Sequence, residues 1–453
     1  MITENRSLPT VAKVNSCRQY SIAMVCDFFY PRLGGVEMHI WSLSQHLIRM
    51  GHKVIVITHA YDNRKGVRYM SGPLKVYYCP FIPMTDQDIL PTLTATFPLW
   101  RQIMVREKVE IVHVHQATSV MSNESVVYAA ALGLPSVYTD HSLFQFDDLA
   151  GVILNRVLET TLSTLNAAIC VSHACRDNLI LRAKVDPSIV RVVPNAVDPS
   201  KFTPPAKQPS KDRIQVVVVS RLVYRKGVDL LVGIIPKICH AYQHVDFIVG
   251  GDGNKLLNLQ EMVERERLQH RVVFLGAVPH SNVASVLREG HIFLNCSLTE
   301  SFCIAILEAA SCGLLVVSTN VGGVPEVLEP DMIVLCDPTV NDLTDGLKQA
   351  IERQEGNNPV DSHDAHQRIE RMYSWHRVAL QTIQTYNEII EQPPKTFWQR
   401  FSCYDRLGGL SGFVACVLAL YIELWVRYVM WMQPIDTIDV VPDLVPRLSK
   451  HNA

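Results

Sequence analysis

The sequence of 453 residues lacks several patterns that would place it in a well-known class. It has no GxGxxG fingerprint, which disfavours a nicotinamide cofactor, and no GxxxxGK[ST] phosphate loop. Its 12 cysteines form no CxxC pair and several lie in apolar runs, so a reducing compartment is favoured over a disulfide framework. The formal net charge is only −2, which argues against binding to nucleic acid.

A hydrophobic stretch of the kind found in signal peptides is also missing from the N-terminus. Residues 1–20 are polar and mixed in charge. We therefore expect a polar extension there, and a globular part that stays in the cytosol.

The longest apolar run lies near the other end of the chain, over 407–432. As a helix it would be about 39 Å long, against about 30 Å for the hydrocarbon core of a bilayer, but its uncharged part would reach only about 24 Å. Glu423 and Arg427 stand one turn apart and can form an ion pair. The run predicts a membrane-associated helix, which either spans the bilayer or lies in its interface. Basic residues precede it and acidic residues begin the tail 433–453, so the positive-inside rule places the large N-terminal part in the cytosol.

Between these ends, short β-branched strands alternate with helix-length segments in two separate stretches. Continuous apolar strands separated by helices indicate parallel sheets that are covered on both faces. The segment "DPSKFTPPAKQPSKD" divides the two stretches. We predict an α/β protein with two doubly wound, Rossmann-like domains, 21–208 and 209–390, followed by a linker over 391–406. The ligand site of such a pair is the cleft between the domains, at the carboxyl ends of the strands.

Two basic residues follow a predicted buried strand in "VVVVSRLVYRKGVDLL". Arg221 comes directly after the strand, and Lys226 precedes Gly227, where we expect a helix to begin. A helix N-terminus with two converging cations is suited to bind a phosphate. The alternative is an exposed basic turn.

A glycine pair, Gly34-Gly35, separates the first predicted strand from the first helix. Glycine at such a place lets the backbone turn sharply or approach a ligand closely. A simple turn is an equally good interpretation of the pair alone.

The stretch 297–313, "SLTESFCIAILEAASCG", is predicted to be a buried apolar helix that carries two glutamates, Glu300 and Glu308. An unpaired buried carboxylate is costly. Eight residues along a helix span about 12 Å, close to the distance from the sugar ring to the ribose in an extended nucleotide sugar. Carboxylates are good acceptors for paired hydroxyls. Alternatively, Glu300 caps the helix and Glu308 meets a distant arginine.

Two patterns have spacing that could suit a metal ion. Asp86-Gln87-Asp88 has the DxD spacing of metal-dependent sugar transferases, but it stands in a proline-bounded polar loop, and we interpret it as solvated. His113 and His115 share one face of a predicted strand. We favour an interpretation of these two as strand-end residues near the cleft.

Several of these residues occur together with one further histidine as a set: Gly34-Gly35, His141, Arg221 with Lys226, and Glu300-x7-Glu308. This set resembles the retaining glycosyltransferases of family four, which have the GT-B fold, and the resemblance extends over 21–386. It is greatest to the members that transfer N-acetylglucosamine from UDP-N-acetylglucosamine to phosphatidylinositol, the first step of glycosylphosphatidylinositol anchor synthesis. Segments such as "TDHSLFQF" and "HIFLNCSLTESFCIAILEAASCG" carry this closer likeness.

The resemblance implies roles for the charged residues. Arg221 and Lys226 would hold the diphosphate of UDP and stabilise it as it leaves. Glu308 would bind the ribose hydroxyls, and Glu300 the hydroxyls of the transferred sugar. His141 would approach that sugar from the N-terminal domain.

The resemblance also implies backbone contacts to the donor. The first group would support the sugar and the diphosphate and comprises Phe302, Cys303 and Ile304. The second would face the uracil and comprises the strand end from Gly276 to Val278. Gly34-Gly35 would lie over the donor phosphates, near the acceptor.

The mechanism that the resemblance implies is front-face attack through an oxocarbenium-like ion pair, with retention of the α configuration. The leaving phosphate would help to deprotonate the inositol hydroxyl. No metal and no other cofactor is expected, because Arg221 and Lys226 would neutralise the diphosphate. The expected partners are UDP-N-acetylglucosamine, phosphatidylinositol, the endoplasmic reticulum membrane with the catalytic domains on its cytosolic side, and other subunits of a complex.

Two other functions stay open on the residues alone. A UDP-N-acetylglucosamine epimerase has the same fold and needs no lipid acceptor. A non-catalytic scaffold subunit would keep the fold without the chemistry.

Overall fold

A computed structural model describes residues 18–32, 34–85, 88–143, 149–207, 209–210, 212–356 and 361–442. The predicted extension therefore lies outside the described residues except for 18–20. Asp86 and Gln87 of the DxD pattern and residues 443–453 of the tail lie outside them as well.

The first half of the chain forms a lobe around an eight-stranded sheet. Its elements are β1 (Ser21–Val25), α1 (Gly35–Arg49), β2 (Lys53–His59), β3 (Gly66–Met70), β4 (Leu74–Cys79), β5 (Pro83–Thr85), β6 (Asp88–Ile89), α2 (Phe97–Arg106), β7 (Ile111–His115), α3 (Val120–Leu132), β8 (Ser136–Asp140), α4 (Leu149–Thr161), β9 (Ala167–Cys170), α5 (His173–Ala183) and β10 (Val190–Val192). The strand order is β10-β9-β8-β7-β1-β2-β4-β3, and all neighbours are parallel except β3, which runs antiparallel to β4 at the edge.

The second lobe is built on a six-stranded, fully parallel sheet in the order β13-β12-β11-β14-β15-β16. Its elements are β11 (Ile214–Val219), α6 (Val228–Ala241), β12 (Val245–Gly250), α7 (Leu256–Arg265), β13 (Val272–Gly276), α8 (His280–Leu287), β14 (Ile292–Asn295), α9 (Ile304–Ser311), β15 (Leu315–Thr319), β16 (Ile333–Cys336), α10 (Val340–Glu355) and α11 (Ser362–Met372).

Both sheets reverse their strand order beside the first strand of each lobe. β1 lies between β2 and β7, and β11 lies between β12 and β14. In open parallel sheets the ligand crevice lies outside the carboxyl ends of the strands at this point. The loops that follow β1, β7, β11 and β14 are therefore expected to border the ligand crevice.

The predicted boundary at 390 needs a correction. The predicted second domain, 209–390, includes the helix α12 (Trp375–Ile390), but this helix packs on the first lobe. Its buried side chains, among them Trp375 and Tyr386, share one core with β1, β2 and α1. The Tyr20 ring packs edge-to-face on that of Tyr386, which helps to fix the helix there. Because its apolar face finds its partner in the first lobe, the chain crosses between the lobes before the C-terminal helices.

The C-terminal apolar run forms α14 (Gly409–Met432), which follows a short helix, α13 (Phe397–Asp405). Within the described part of the chain, α14 is the helix that is long and apolar enough to cross a membrane, by length and composition. Val426 and Val429 are buried against the first lobe, and Trp425 donates from Nε1 to the carbonyl of Thr94 at 3.2 Å. The opposite face is exposed and apolar.

The ion pair predicted on this helix is present. The Arg427 Nε atom lies 2.9 Å from Oε1 of Glu423. The other carboxylate oxygen of Glu423 accepts from Arg400 on α13 at 2.6 Å. Glu423 therefore joins the two C-terminal helices, which sequence spacing within α14 could not indicate.

Candidate active site

The central contact of the site joins Lys226 to Glu300. Lys226 ends a short 3-10 turn, Tyr224–Lys226, after β11, and α6 begins two residues later. The Nζ atom forms an ion pair with Oε1 of Glu300, and both side chains are largely buried. Burial alone would lower the pKa of Lys226, but the Glu300 carboxylate outweighs it and the pKa is raised. The lysine therefore stays charged beside the cleft.

Gly227 allows the turn to pack against β14. Its backbone has φ +69°, and a Cβ at this position would overlap the carbonyl oxygen of Cys296. The helix start predicted at this glycine is present. The turn therefore holds Lys226 next to the loop that carries Glu300.

Arg221 is the second residue after β11, and its side chain is exposed. Its positive charge opposes the rise in the pKa of Lys226, so the two cations lie near each other. The strand end beneath Arg221 is covered by a glycine turn. A Cβ at Gly251 would overlap the Ser220 carbonyl oxygen, and one at Gly253 would overlap that of Leu222. The sequence "GGDG" after a strand was a signal for this close approach.

The helix predicted over 297–313 is shorter in the structure, and the prediction is wrong for its first turns. The helix α9 begins at Ile304, so Glu300 lies in the loop before it. The Leu298 amide donates to the Arg225 carbonyl at 2.9 Å, and the Glu300 carbonyl accepts from Gly323 at 2.9 Å. These backbone groups bond to other segments, so the loop cannot continue the helix. The 12 Å separation along one helix therefore does not apply to the two glutamates.

The start of α9 faces the same region. Cys303 is its N-cap, with φ +70°, and Ile304 is the first helical residue, while Phe302 is buried in the core. Amides at the N-terminus of a helix attract anions. Residues 302–304, whose backbone is predicted to contact the donor, thus lie beside the Lys226–Glu300 pair.

Glu308 lies on the buried face of α9. Its Oε1 atom is 4.0 Å from Nδ1 of His280, the first residue of α8. Burial raises the pKa of Glu308 to about 7 and lowers the pKa of His280. Both groups are therefore driven towards their neutral forms, and the contact is weak as an ion pair. The alternative prediction for Glu308 was a contact with a distant arginine, whereas the structure shows a contact with His280.

The predicted uracil-facing strand end lies beside β12. Gly276 ends β13 with φ +66°, and its carbonyl accepts from the Gly251 amide at 2.7 Å. Val278 is partly buried, and a Cβ at Gly250 would come within 2.9 Å of its side chain. Gly276 and Val278 thus border the same glycine turn that covers the strand end at Arg221.

His141 connects the two lobes. It follows β8, and its carbonyl accepts a hydrogen bond from Ser301 Oγ of the second lobe at 2.7 Å. The Ser301 carbonyl in turn accepts from Ser172 Oγ of the first lobe at 2.6 Å. Burial, and then the neighbouring histidines, hold the pKa of His141 well below its usual range. The imidazole is therefore neutral, with one ring nitrogen that donates a hydrogen bond and one that accepts.

Gly34-Gly35 begins the helix that reaches this histidine. Gly34 is the N-cap of α1 and Gly35 its first residue. One turn further on, His39 packs edge-to-face on His141, with ring centroids 4.6 Å apart. His39 belongs to none of the sequence motifs described above. The available signal was its position on the buried face of α1, the helix that begins at the glycine pair.

A metal ion could be held by a group of three histidines: His39, His115 and His141. Among the described residues, their candidate ligand atoms all lie within 4.8 Å of one another. The alternative in which His113 and His115 share a metal ion does not hold, since both nitrogens of His113 are bonded, to Tyr386 Oη and to Thr139 Oγ1, each at 2.6 Å.

Glu326 forms a second contact between the lobes. It ends a 3-10 turn of the second lobe, and its carboxylate accepts from the amides of His173 at 2.7 Å and Ala174 at 2.8 Å. These amides form the N-terminus of α5, where a negative charge is favourable. Nothing in the local sequence indicated this contact.

Replacing Glu326 by alanine should speed hydrogen exchange at His173 and Ala174. Hydrogen bonds to charged groups contribute about 1.5–3 kcal/mol, so we expect exchange to be faster by at least about tenfold. Exchange measured by mass spectrometry on a peptide that contains both amides tests this, and a peptide from α12 serves as the internal control. Glu326→Gln, which keeps an acceptor, should show a smaller effect. Unchanged exchange in Glu326→Ala would mean that the contact does not form in solution.

Comparison with known proteins places these features in a family. A family model described as PIGA (GPI anchor biosynthesis) matches residues 59–148, and one described as Glycosyl transferases group 1 matches residues 200–367. A phosphatidylinositol N-acetylglucosaminyltransferase subunit from Arabidopsis thaliana is 48% identical over 423 residues, which cover 93% of this chain and 94% of that protein. The corresponding subunit from Homo sapiens is 47% identical over 431 residues, which cover 94% of this chain and 88% of that protein.

Solved structures support the fold. Sucrose-phosphate synthase from Thermosynechococcus elongatus matches with a TM-score of 0.68 and 20% identity, over 82% of this chain and 99% of that one. Anabaena HepE, in complex with UDP-glucose, matches with a TM-score of 0.64 and 17% identity, over 82% of this chain and 100% of that one. The predicted GT-B fold, with two Rossmann-like lobes, is confirmed.

Proposed function

This chain belongs to the PIGA family of phosphatidylinositol N-acetylglucosaminyltransferase subunits, and we propose that it transfers N-acetylglucosamine from UDP-N-acetylglucosamine to phosphatidylinositol. It is a glycosyltransferase, and Anabaena HepE, which has the same fold, is found in complex with UDP-glucose. The observation that carries the proposal is the Lys226–Glu300 pair, set beside the N-terminus of α9 at the strand-order reversal of the second sheet.

The donor binds along the ends of β11 and β14. Arg221, Lys226 and the first amides of α9 hold the diphosphate, because they are the positive groups that converge there. Glu308 accepts from the ribose hydroxyls once it is ionised. Glu300 accepts from the hydroxyls of the sugar, and its ion pair keeps Lys226 in position beside the diphosphate. Gly276 and Val278 border the base.

The chemistry is electrostatic. The bond from the anomeric carbon to the diphosphate breaks, an oxocarbenium-like ion forms, and the inositol hydroxyl attacks the same face, so the α configuration is retained. The leaving phosphate takes the hydroxyl proton. Lys226 and Arg221 stabilise the charge that develops on that phosphate. Such electrostatic stabilisation is usually the largest single contribution of an active site to the rate enhancement. The two cations take the place of a metal ion in this transfer.

Glu300 is poorly suited to act as a covalent nucleophile. Its carboxylate is already paired with Lys226, which lowers its tendency to attack an electrophilic carbon. His141, held neutral at the lobe interface, is suited to hydrogen-bond a sugar hydroxyl instead. The paired carboxylate of Glu300 supports front-face attack over a double displacement.

The helix α14 attaches the enzyme to the cytosolic face of the endoplasmic reticulum membrane, where the lipid acceptor is found. The support is its exposed apolar face, which includes Leu410, Phe413, Val417 and Leu424. The naming of the relatives as subunits supports a complex with further chains.

The double substitution Phe413→Glu and Val417→Glu should release the chain from membranes. Each charge costs about 2.5–3.5 kcal/mol at the centre of a bilayer. Flotation of the full chain with liposomes measures this directly. Leu257→Glu, at an exposed apolar position on α7, is the matched control and should not affect flotation. Normal flotation of the double variant would show that α14 is not the anchor.

Transfer itself is tested with membranes that contain the protein, labelled UDP-N-acetylglucosamine and phosphatidylinositol. We expect label in the organic phase, on a lipid from which an α-specific N-acetylglucosaminidase releases the sugar. An epimerase would leave all label in the aqueous phase, and a scaffold subunit would give neither product. Either result would overturn the proposal.

A further inference from the structure

Three histidines meet behind the sugar side of the cleft, and the transfer reaction uses only one of them. His39 comes from α1, His115 from the end of β7 and His141 from the residue after β8. Their candidate ligand atoms lie within 4.8 Å of one another. Three separate elements of the first lobe thus direct imidazole nitrogens to one point.

One of the distances within the group already suits a tetrahedral metal ion. The His115 Nδ1 and His141 Nε2 atoms are 3.3 Å apart. With metal–nitrogen bonds of about 2.0–2.1 Å, two ligands of a tetrahedral zinc site lie about 3.3–3.4 Å apart. The same distance also fits a weak hydrogen bond between two neutral rings, so the spacing needs support from the neighbours.

That support comes from the other nitrogens of the rings. His39 Nδ1 contacts Asn195 Oδ1 at 2.7 Å, which leaves Nε2 for a metal. His115 Nε2 contacts the soft sulfur of Met24, at 3.5 Å. Metal-binding histidines are usually oriented by a contact at their second nitrogen, and here the Asn195 amide oxygen takes that position.

The neighbouring His113 gives the contrast. It stacks on His115 with ring centroids 4.3 Å apart, but both of its nitrogens are bonded to hydroxyl groups. It is a satisfied core histidine. The cluster therefore divides into one histidine that is fully engaged and three whose remaining nitrogens converge.

We propose that His39, His115 and His141 bind one Zn²⁺ ion, or a divalent ion of similar preference for imidazole, and that this ion inhibits the enzyme. A ligand set made of imidazoles favours zinc, copper or nickel over magnesium or calcium. His39 and His115 are buried and His141 is partly exposed, so the open coordination position lies on the side of His141. A bound ion takes up the His141 Nε2 atom, which faces His115, and thereby fixes the ring and its proton so that the imidazole can no longer adjust to the sugar.

Cobalt binding tests the site without any assay of transfer. The full chain, purified in detergent and stripped with a chelator, is titrated with Co²⁺. We expect one Co²⁺ per chain with the intense visible bands of a tetrahedral complex, which Zn²⁺ displaces. A stripped chain that gives no such bands, or only the weak bands of an octahedral ion, would overturn the proposal.

Variants identify the ligands. His39→Gln and His115→Gln should weaken binding by at least about 100-fold, and Asn195→Ala, which removes only the orienting contact, by about 10–100-fold. His270→Ala changes an exposed histidine and should leave the titration unaltered. Unfolding curves recorded without metal show whether each variant is folded. Undiminished binding in folded His39→Gln would overturn the assignment.

The inhibitory effect rests on the proposed function and is measured separately. Zn²⁺ should abolish transfer by the wild-type enzyme, and a chelator should restore it. In folded His115→Gln, Zn²⁺ should lower the transfer rate much less, relative to the rate of the same variant without metal. If cobalt binds as expected but Zn²⁺ does not inhibit, the inhibitory part is wrong and the metal site stands. Absence of transfer under every condition would instead count against the proposed function.

Discussion

Lys226→Ala is expected to lower the rate of sugar transfer by about 10²–10³-fold, which corresponds to about 3 kcal/mol of transition-state stabilisation. The lysine is held charged by Glu300 beside the cleft, so it meets the negative charge that develops on the leaving diphosphate. Single-turnover rates with radiolabelled donor give this number directly. The effect should appear in kcat and kcat/KM alike, because the interaction strengthens in the transition state.

Arg221→Ala should have an effect of similar size, since Arg221 is the second cation at the same strand end. The matched control is Arg225→Ala. Arg225 is exposed and lies in the same turn, next to Lys226. It should keep the wild-type rate. Equal losses for Arg225 and Lys226 would indicate that the turn is merely basic, and wild-type turnover in both Arg221→Ala and Lys226→Ala would remove the leaving-group role.

The second large effect is a change in stability at Glu308. The ordinary pKa of such a carboxyl is 4.5, and burial raises the pKa of Glu308 to about 7 in the folded chain. The folded state therefore binds more protons than the unfolded state between these values, and stability falls as the pH rises through that window. Above pH 7 the full cost of the buried charge is about 3 kcal/mol.

Glu308→Gln should remove this cost. Glutamine has nearly the same shape and no charge, so the ligand-free variant should be more stable than the wild type by about 3 kcal/mol at pH 8. The advantage should fall to about 1 kcal/mol at pH 5, where the wild-type carboxyl is protonated in the fold. Calorimetric unfolding of both proteins over this pH range measures the difference. A stability difference that did not vary with pH would contradict the burial of an ionisable group at this position.

The same substitution should weaken the binding of UDP, because a neutral amide accepts less strongly than a carboxylate. We expect about tenfold weaker binding at pH 8. Wild-type affinity should rise relative to that of the variant as the pH passes about 7, when Glu308 ionises. Comparison at each pH is needed because the UDP phosphate titrates as well. The Glu308 carboxylate would then destabilise the ligand-free enzyme, and its hydrogen bonds to the ribose would offset this destabilisation when UDP is bound.

Sequence patterns correctly predicted the features that depend on residues close to one another in the chain. The strands around β1 and β11 were predicted from continuous apolar runs, and the start of α6 from Gly227. The terminal apolar helix and its Glu423–Arg427 pair followed from helical spacing. These features depend on residues a few positions apart, which interact in the same way in any fold.

Other features depended on partners far along the chain. Glu300 looked helical because its neighbours are apolar, but the backbone there bonds to Arg225 and Gly323. The helix α12 looked like part of the second lobe until Trp375 was found in the core of the first. The histidine cluster combines side chains from three elements, one of which, His39, had no motif to mark it.

The amino-acid order alone determined two parallel-sheet units, the basic turn and the acidic segment, because periodicity and glycine placement act over one strand or one turn. Only the tertiary structure decided that Lys226 meets Glu300, that Glu308 is left with a neutral histidine, and that three imidazoles converge. Such pairings depend on the order of strands in a sheet and on the approach of two lobes, and neither is encoded in the spacing of neighbouring residues.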